Sequence, residues 1–158
     1  MEFPFSNAVV STHAHATEDE QRVLEALRTL LPEAVEVSQS KLKGHYGNPI
    51  TGFEARVNRR ILLRELWERV VAKLRAGELD NIRNILPARI DESCRLYLRF
   101  DKQLAYLGEL VLAGSGDAIH LKLKMAAFPA KREIAIGLVE KFIGAGQKDE
   151  EEAQIHRV

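Results

Sequence analysis

Basic side chains recur at every second position in three segments of the chain, a spacing that is typical of β-strands. Side chains two positions apart on a strand point to the same face, so each segment separates its basic side chains from its apolar ones. If the three strands share one sheet, a single surface presents five fixed cations and an aromatic ring. Such a surface can hold RNA phosphates and stack an unpaired base. Its predicted members are Arg56, Arg95, Tyr97, Arg99, His120, Lys122 and Lys124.

The same residues have a simpler interpretation. Charged side chains on the wet face of a strand commonly do no more than keep that face solvated. Glu54 lies on the same predicted face as Arg56, and its negative charge opposes phosphate binding. The sequence is consistent with both interpretations, an RNA-binding surface and a merely solvated surface.

A glycine-rich loop at 44–49 is the second candidate. It presents His45 and Tyr46 between two glycines, and an Asn-Pro pair closes it. We predict that both side chains lie at the edge of the RNA surface. The loop is not a P-loop, because the lysine and Ser/Thr that follow the second glycine of that motif are missing. As an ordinary turn, it would need its glycines only for backbone geometry.

Three histidines offer a metal site as a less favoured alternative. His13 and His15 lie two apart on a predicted strand, and with His45 they would supply three ligands of the kind that zinc takes. Histidines on strands more often make structural hydrogen bonds. We therefore predict no metal and no cofactor.

The remaining chemically reactive residues are expected to have structural rather than catalytic roles. Asp101-Lys102-Gln103 indicates a polar corner, although Lys102 could instead touch phosphate as a point charge. Cys94 has no activating motif and is expected to pack as a small apolar side chain. No G-x-S-x-G sequence occurs. We therefore predict that the protein is not an enzyme.

Composition restricts the class of protein. The chain has 158 residues, 46% hydrophobic and 29% charged, which predicts one domain with an apolar core. Its 23 basic and 23 acidic residues cancel, which argues against a histone-like nucleic-acid binder. The single cysteine excludes a disulfide framework. The acidic start and the absence of an 18-residue apolar run favour a cytoplasmic protein without a membrane segment.

Hydrophobic periodicity predicts the elements that position these residues. The predicted order is β-α-β-β-α-α-β-β-β-α, an α+β domain with a mainly antiparallel sheet and helices packed on one face. Thr17 and Glu20 are expected to form a capping box on the first helix. Residues 1–146 are predicted to form this domain, and the acidic tail 147–158 is predicted to fray. Strands are predicted at 8–16, 35–43, 51–58, 93–100, 107–112 and 119–125, and helices at 20–31, 60–75, 78–86 and 129–146. The segment 101–113 also fits a helix, but a loop followed by a strand is preferred there.

Several short segments, in this order, resemble one family. The segments are His15-Ala16-Thr17-Glu18-Asp19-Glu20, Gly44-His45-Tyr46-Gly47-Asn48-Pro49-Ile50, Arg89-Ile90-Asp91, Asp101-Lys102-Gln103 and Tyr106-Leu107-Gly108. Together they are similar to an archaeal family of predicted RNA-binding, exosome-associated proteins, and the resemblance covers about 12–142. It implies a fold like that of the ribosomal protein that binds the small RNA of the large subunit. It also implies a role in archaeal RNA processing or decay, and it brings no catalytic residues.

The favoured hypothesis is a non-catalytic RNA-binding accessory protein, with RNA and exosome subunits as partners. The alternative is a protein-interaction subunit that does not touch RNA, which the zero net charge motivates. A homodimer through an exposed sheet edge is a further prediction. The residues predicted to bind RNA are Arg56, Arg95, Tyr97, Arg99, Lys122, Lys124, His45, Tyr46 and Lys102.

Overall fold

The described part of the chain forms five strands and five helices in the computed structural model. The structure describes residues 2–114 and 116–155, with only the backbone described for 147–155. The predicted α+β class is confirmed. The elements are β1 (Phe5–Ala14), α1 (Glu20–Arg28), β2 (Ser38–Lys43), β3 (Pro49–Val57), α2 (Arg60–Lys73), α3 (Glu78–Arg89), β4 (Arg95–Asp101), α4 (Lys102–Tyr106), β5 (Ala118–Met125) and α5 (Arg132–Ile155).

The strands form one sheet in the order β2-β3-β1-β5-β4, and all neighbouring strands are antiparallel. Burial alternates along β1, β4 and β5, so one face of the sheet carries the core. Val10, Leu121 and Leu98 lie directly opposite one another across three strands and are fully buried. Apolar stripes of the helices complete this core, which confirms the prediction that the helices pack on one face.

The two edges of the sheet differ. Along β4, the N–H of Asp101 donates to the carbonyl of Val111 at 2.9 Å, and the N–H of Ala113 donates to the carbonyl of Arg99 at 2.8 Å. These bonds cover one end of that edge. All six residues of β2 are exposed instead, and lysines on such an edge discourage pairing with another strand. The homodimer stays a prediction.

One element of the predicted order differs. The strand predicted at 107–112 is absent, and the short helix α4 precedes this segment. The Asp101 carboxylate accepts the N–H of Leu104 at 2.8 Å, which caps α4, and Gly108 has a φ of 88° just after the helix ends. Leu110 and Leu112 make only isolated bridges.

Three helix ends also differ from the prediction. The N-cap of α1 is Asp19, whose carboxylate accepts the N–H groups of Gln21 and Arg22, so Thr17 does not cap it. Pro87 lies inside α3 rather than after it. Glycines at 144 and 146 do not end α5, because one glycine costs only about 1 kcal/mol in a helix interior and good helix formers follow.

The described backbone of α5 continues through residues 147–155, so this part of the acidic tail extends the last helix. Fraying of the tail stays a prediction, and residues 156–158 lie outside the described residues. No helix in the described part of the chain has the length and apolar character needed to cross a bilayer.

Candidate nucleic-acid interface

The strand register brings the predicted cations together on the face of the sheet opposite the core, which we call the open face. Arg56 lies opposite Val9, Val9 opposite Lys122, and Lys122 opposite Tyr97, so these four form one row across four strands. Directly opposed side chains in an antiparallel sheet share a face and have Cβ atoms about 4.5–5.5 Å apart. The expectation that these strands share one surface is therefore confirmed, whereas RNA binding by it stays a prediction.

Two further rows flank this one. Arg99 lies opposite His120, which lies opposite Ser11, and Ser11 lies opposite Glu54. On the other side, Arg95 and Lys124 are opposite each other. On these four strands, the open face consists of Asn7, Val9, Ser11 and His13 of β1, Glu54 and Arg56 of β3, Arg95, Tyr97 and Arg99 of β4, and His120, Lys122 and Lys124 of β5.

Positive charge is unevenly distributed over the open face. The Nε of Arg56 donates to Glu54 at 2.8 Å, so the basic charge on β3 has a partner. Arg99, Lys122 and Lys124 make no ion pair with any residue in the described ranges. Uncompensated positive charge is therefore concentrated on β4 and β5.

Tyr97 presents the aromatic ring of the open face. Burial and a hydrogen bond to Asp91 raise the pKa of its hydroxyl. Burial also opposes ionisation of Asp91, but the N–H groups of Arg95 and Ser93, at 3.0 and 2.9 Å, together with the Tyr97 hydroxyl, hold the pKa of that carboxyl below its ordinary value. The hydroxyl contact tethers the ring at one end. The ring itself remains partly exposed on the face.

His120 lies between Arg99 and Ser11 in its row. Partial burial lowers the pKa of its imidazole below 6.5, and the nearby positive charges of Arg99 and His13 lower it further, while Asp117 opposes them. The folded protein therefore favours neutral His120.

This shift predicts a pH dependence of stability. Between the folded pKa of His120 and its ordinary value, the unfolded chain binds more protons than the folded protein, so stability falls as the pH falls through that window. We expect a lower free energy of unfolding at about pH 5 than at about pH 7.5, and a smaller difference in His120→Gln. Urea denaturation at both pH values measures this. An identical pH dependence in the variant would contradict the assignment to His120.

Lys102 is not part of the open face. Its side chain is buried, and its ammonium donates to the His13 carbonyl at 2.7 Å, to Glu18 at 3.0 Å and to Asp117. These three acceptors match the three donors of an ammonium group. Lys102 therefore belongs to the polar corner, which joins the start of α4 to the end of β1 and the start of β5. A phosphate contact by Lys102 stays a prediction.

The three-histidine metal site is not formed by the described residues. The group with suitable donor atoms is instead His15, Glu18 and Asp117, whose donor atoms lie within 4.8 Å of one another. The Lys102 ammonium already forms ion pairs with both carboxylates at this position. A divalent cation would have to displace it, so the cluster is best described as an internal ion-pair network.

The loop at the tip of the β2–β3 hairpin carries the other two predicted residues. The N–H of Gly44 donates to the carbonyl of Asn48 at 2.8 Å, and Gly47 has a φ of 79°, which favours glycine. The rings of His45 and Tyr46 are exposed and meet edge to face at 4.9 Å. The structure thus places both beyond the strands, away from the cations of β4 and β5, and their RNA contact stays a prediction.

Comparison with known proteins identifies the family. A family model described as RNA binding matches residues 7–125. The chain belongs to this RNA-binding family. A Pyrococcus abyssi protein named RNA-binding protein is a relative, 35% identical over 142 residues, which cover 87% of this chain and 92% of the relative.

Solved structures of relatives agree with the fold of this family member. An Archaeoglobus fulgidus protein is similar with a TM-score of 0.79 and 38% identity, covering 87% of this chain and 98% of that one. A Methanothermobacter thermautotrophicus protein is similar with a TM-score of 0.75 and 39% identity, covering 89% and 99%. The region that matches the RNA-binding family runs from β1 to the end of β5 and therefore contains the whole open face.

One exposed aromatic residue was missed by the sequence analysis. Phe128 follows β5 in the connection to α5, and its side chain is 98% exposed. It lies outside any alternating or helical pattern. Its only sequence signal is an aromatic residue in a short, otherwise small-residue loop.

Proposed function

We propose that the chain is a non-catalytic RNA-binding accessory protein and that RNA lies on the open face of the sheet. The observation that carries this proposal is the row in which the exposed Tyr97 ring lies opposite Lys122, flanked by Arg99 and Lys124 without ion-pair partners. Unpaired bases stack on exposed rings, and nearby cations hold the adjoining phosphates. Membership of the RNA-binding family supports the same proposal.

Charge removal on β4 and β5 tests this site. We expect the logarithm of the binding constant for single-stranded RNA to fall with the logarithm of salt concentration with a slope of about −2 to −3.5, from about three to five phosphate contacts. The double substitution Arg99→Ala and Lys122→Ala should weaken binding and reduce the magnitude of the slope by about 1.4, because two contacts are lost. Fluorescence anisotropy of labelled RNA at several salt concentrations measures both.

The matched control is Lys141→Ala, which removes an exposed lysine from α5 in the helical layer. Its affinity and slope should equal those of the unsubstituted protein. Equal losses in the control and the double variant would show non-specific charge attraction rather than binding at the open face. No binding at low salt would favour the protein-interaction alternative.

We propose further that this RNA binding serves archaeal RNA processing or decay in association with the exosome. A groove between α1 and α4 could receive a protein partner, because Tyr106 and Leu107 expose apolar surface there while the open face lies on the other side of the sheet. Capture of exosome subunits by the tagged protein that persists after nuclease treatment would support direct association. Loss of capture after nuclease treatment would contradict it.

A further inference from the structure

The connection after β5 begins at Ala126, two residues after Lys124, the last cation of β5 on the open face. His120, Lys122 and Lys124 alternate on the open face, and Ala126, the next position of the same alternation, is exposed. The N–H of Met125 donates to the Cys94 carbonyl at 2.9 Å, and the N–H of Ala126 donates to the Pro4 carbonyl at 2.8 Å. The start of the connection is thus fixed to chain segments on both sides, and Phe128 lies two residues beyond this anchor.

The exposure of Phe128 is extreme for its residue type. Its side chain is 98% exposed, whereas the other five phenylalanines are not among the exposed large hydrophobic residues of the described chain. Covering an exposed apolar ring with a flat partner removes apolar surface from water and lowers the free energy. Exposed lysines lie on both sides of it in sequence, at 124 and 131, so the surroundings favour an anionic partner that also has flat apolar faces.

Single-stranded RNA has this combination of properties. We infer that Phe128 is a second stacking position for the RNA on the open face, so that the site takes single-stranded RNA along β5, with one base on Tyr97 and a later base on Phe128. This inference rests on the proposed function. Lys122, opposite Tyr97, precedes Phe128 by six residues, which is at most about 20 Å of extended chain, a distance that several nucleotides can span.

This arrangement selects unpaired RNA. Bases in an A-form duplex are stacked on one another and paired, so their faces are not available to a protein ring. Two rings separated along the face therefore contribute to binding only when the RNA is single-stranded. They also require a minimum length, since a very short oligonucleotide reaches one ring but not the other.

The test compares Phe128→Ala with a matched control, using a fluorescein-labelled 12-nucleotide single-stranded RNA, a trinucleotide, and a duplex of the same 12-nucleotide sequence. The control is Leu107→Ala, which removes a 73% exposed apolar side chain after α4, away from the open face. Because Phe128 is almost fully exposed, its removal should not disturb folding, and the urea midpoint checks this.

We expect Phe128→Ala to weaken binding of the 12-nucleotide RNA about fivefold or more, with the salt slope unchanged because no phosphate contact is lost. Phe128→Trp should preserve affinity, the trinucleotide should be insensitive to Phe128→Ala, and Leu107→Ala should bind like the unsubstituted protein. The unsubstituted protein should prefer the single strand over the duplex.

Several outcomes would overturn the inference. Unchanged affinity in Phe128→Ala, alongside weaker binding in Arg99→Ala with Lys122→Ala, removes Phe128 from the site but leaves the proposed function intact. Equal affinity for duplex and single strand overturns the strand selection. If Phe128→Ala instead abolishes capture of a protein partner and leaves RNA binding unchanged, the ring is a protein contact. If the unsubstituted protein binds no RNA, the proposed function itself fails.

Discussion

Replacing Lys102 with methionine is expected to lower the free energy of unfolding by about 2–3 kcal/mol. Removing one partner of a fully buried ion pair costs about 3–5 kcal/mol, because the remaining charge is left without compensation. Here the ammonium is buried, but Glu18 and Asp117 are partly exposed and can regain water, so the cost should be lower. Methionine keeps the packing of the aliphatic stem. Urea denaturation, followed by fluorescence of the buried Trp67, measures the change.

Lys41→Met is the matched control for Lys102→Met. Lys41 also pairs with a carboxylate, Glu20 at 2.9 Å, but both side chains are well exposed. Exposed ion pairs contribute little to stability, so this variant should unfold at nearly the original midpoint. If both variants lost equal stability, Lys102 would not have the structural role described above. Lys102→Met should retain its RNA affinity while folded, because its ammonium faces inward.

Replacing Tyr97 with alanine is expected to weaken binding of single-stranded RNA by about ten- to hundredfold, since one stacked base contributes about 1–3 kcal/mol. Tyr97→Phe should keep most of the affinity, because it retains the ring and loses only the hydroxyl contact with Asp91. Fluorescence anisotropy at constant salt concentration measures both.

Tyr106 provides the control for Tyr97, because both side chains are 40% exposed and Tyr106 lies on α4 in the groove with α1. Tyr106→Ala should therefore bind RNA like the unsubstituted protein. Unchanged affinity in Tyr97→Ala would remove its ring from the site. Equal weakening in both variants would indicate a general loss of structure instead.

The open face was predictable because strand periodicity is a local property. Arg95, Tyr97 and Arg99 alternate with leucines and Phe100, so their common face follows from the sequence of one strand. Which strands become neighbours depends on contacts distant in sequence. The row that joins Arg56 to Tyr97 through β1 and β5 therefore appears only in the structure, as does the ion pair by which Glu54 compensates Arg56.

The sequence analysis missed features that are decided by tertiary contacts, because those contacts compete with local ones for the same side chains. Thr17 and Asp19 are both good capping residues, and local pattern alone does not decide between them. In the structure, Glu18 accepts the N–H of His15 and binds Lys102, which fixes the turn so that Asp19 is the cap. Similarly, the apolar residues at 107–112 suited a strand, but they follow the end of α4, and Leu110 and Leu112 make only isolated bridges. Phe128 belongs to no periodic pattern at all.

The uneven charge of the open face has a consequence for the time course of binding. Long-range attraction acts before contact, so RNA should approach preferentially over β4 and β5, where Arg99, Lys122 and Lys124 lack ion-pair partners. The association rate should therefore fall steeply as salt is added, whereas the dissociation rate should depend mainly on ring stacking. The charge on β4 and β5 would govern how fast a complex forms, and the aromatic rings would govern how long it lasts.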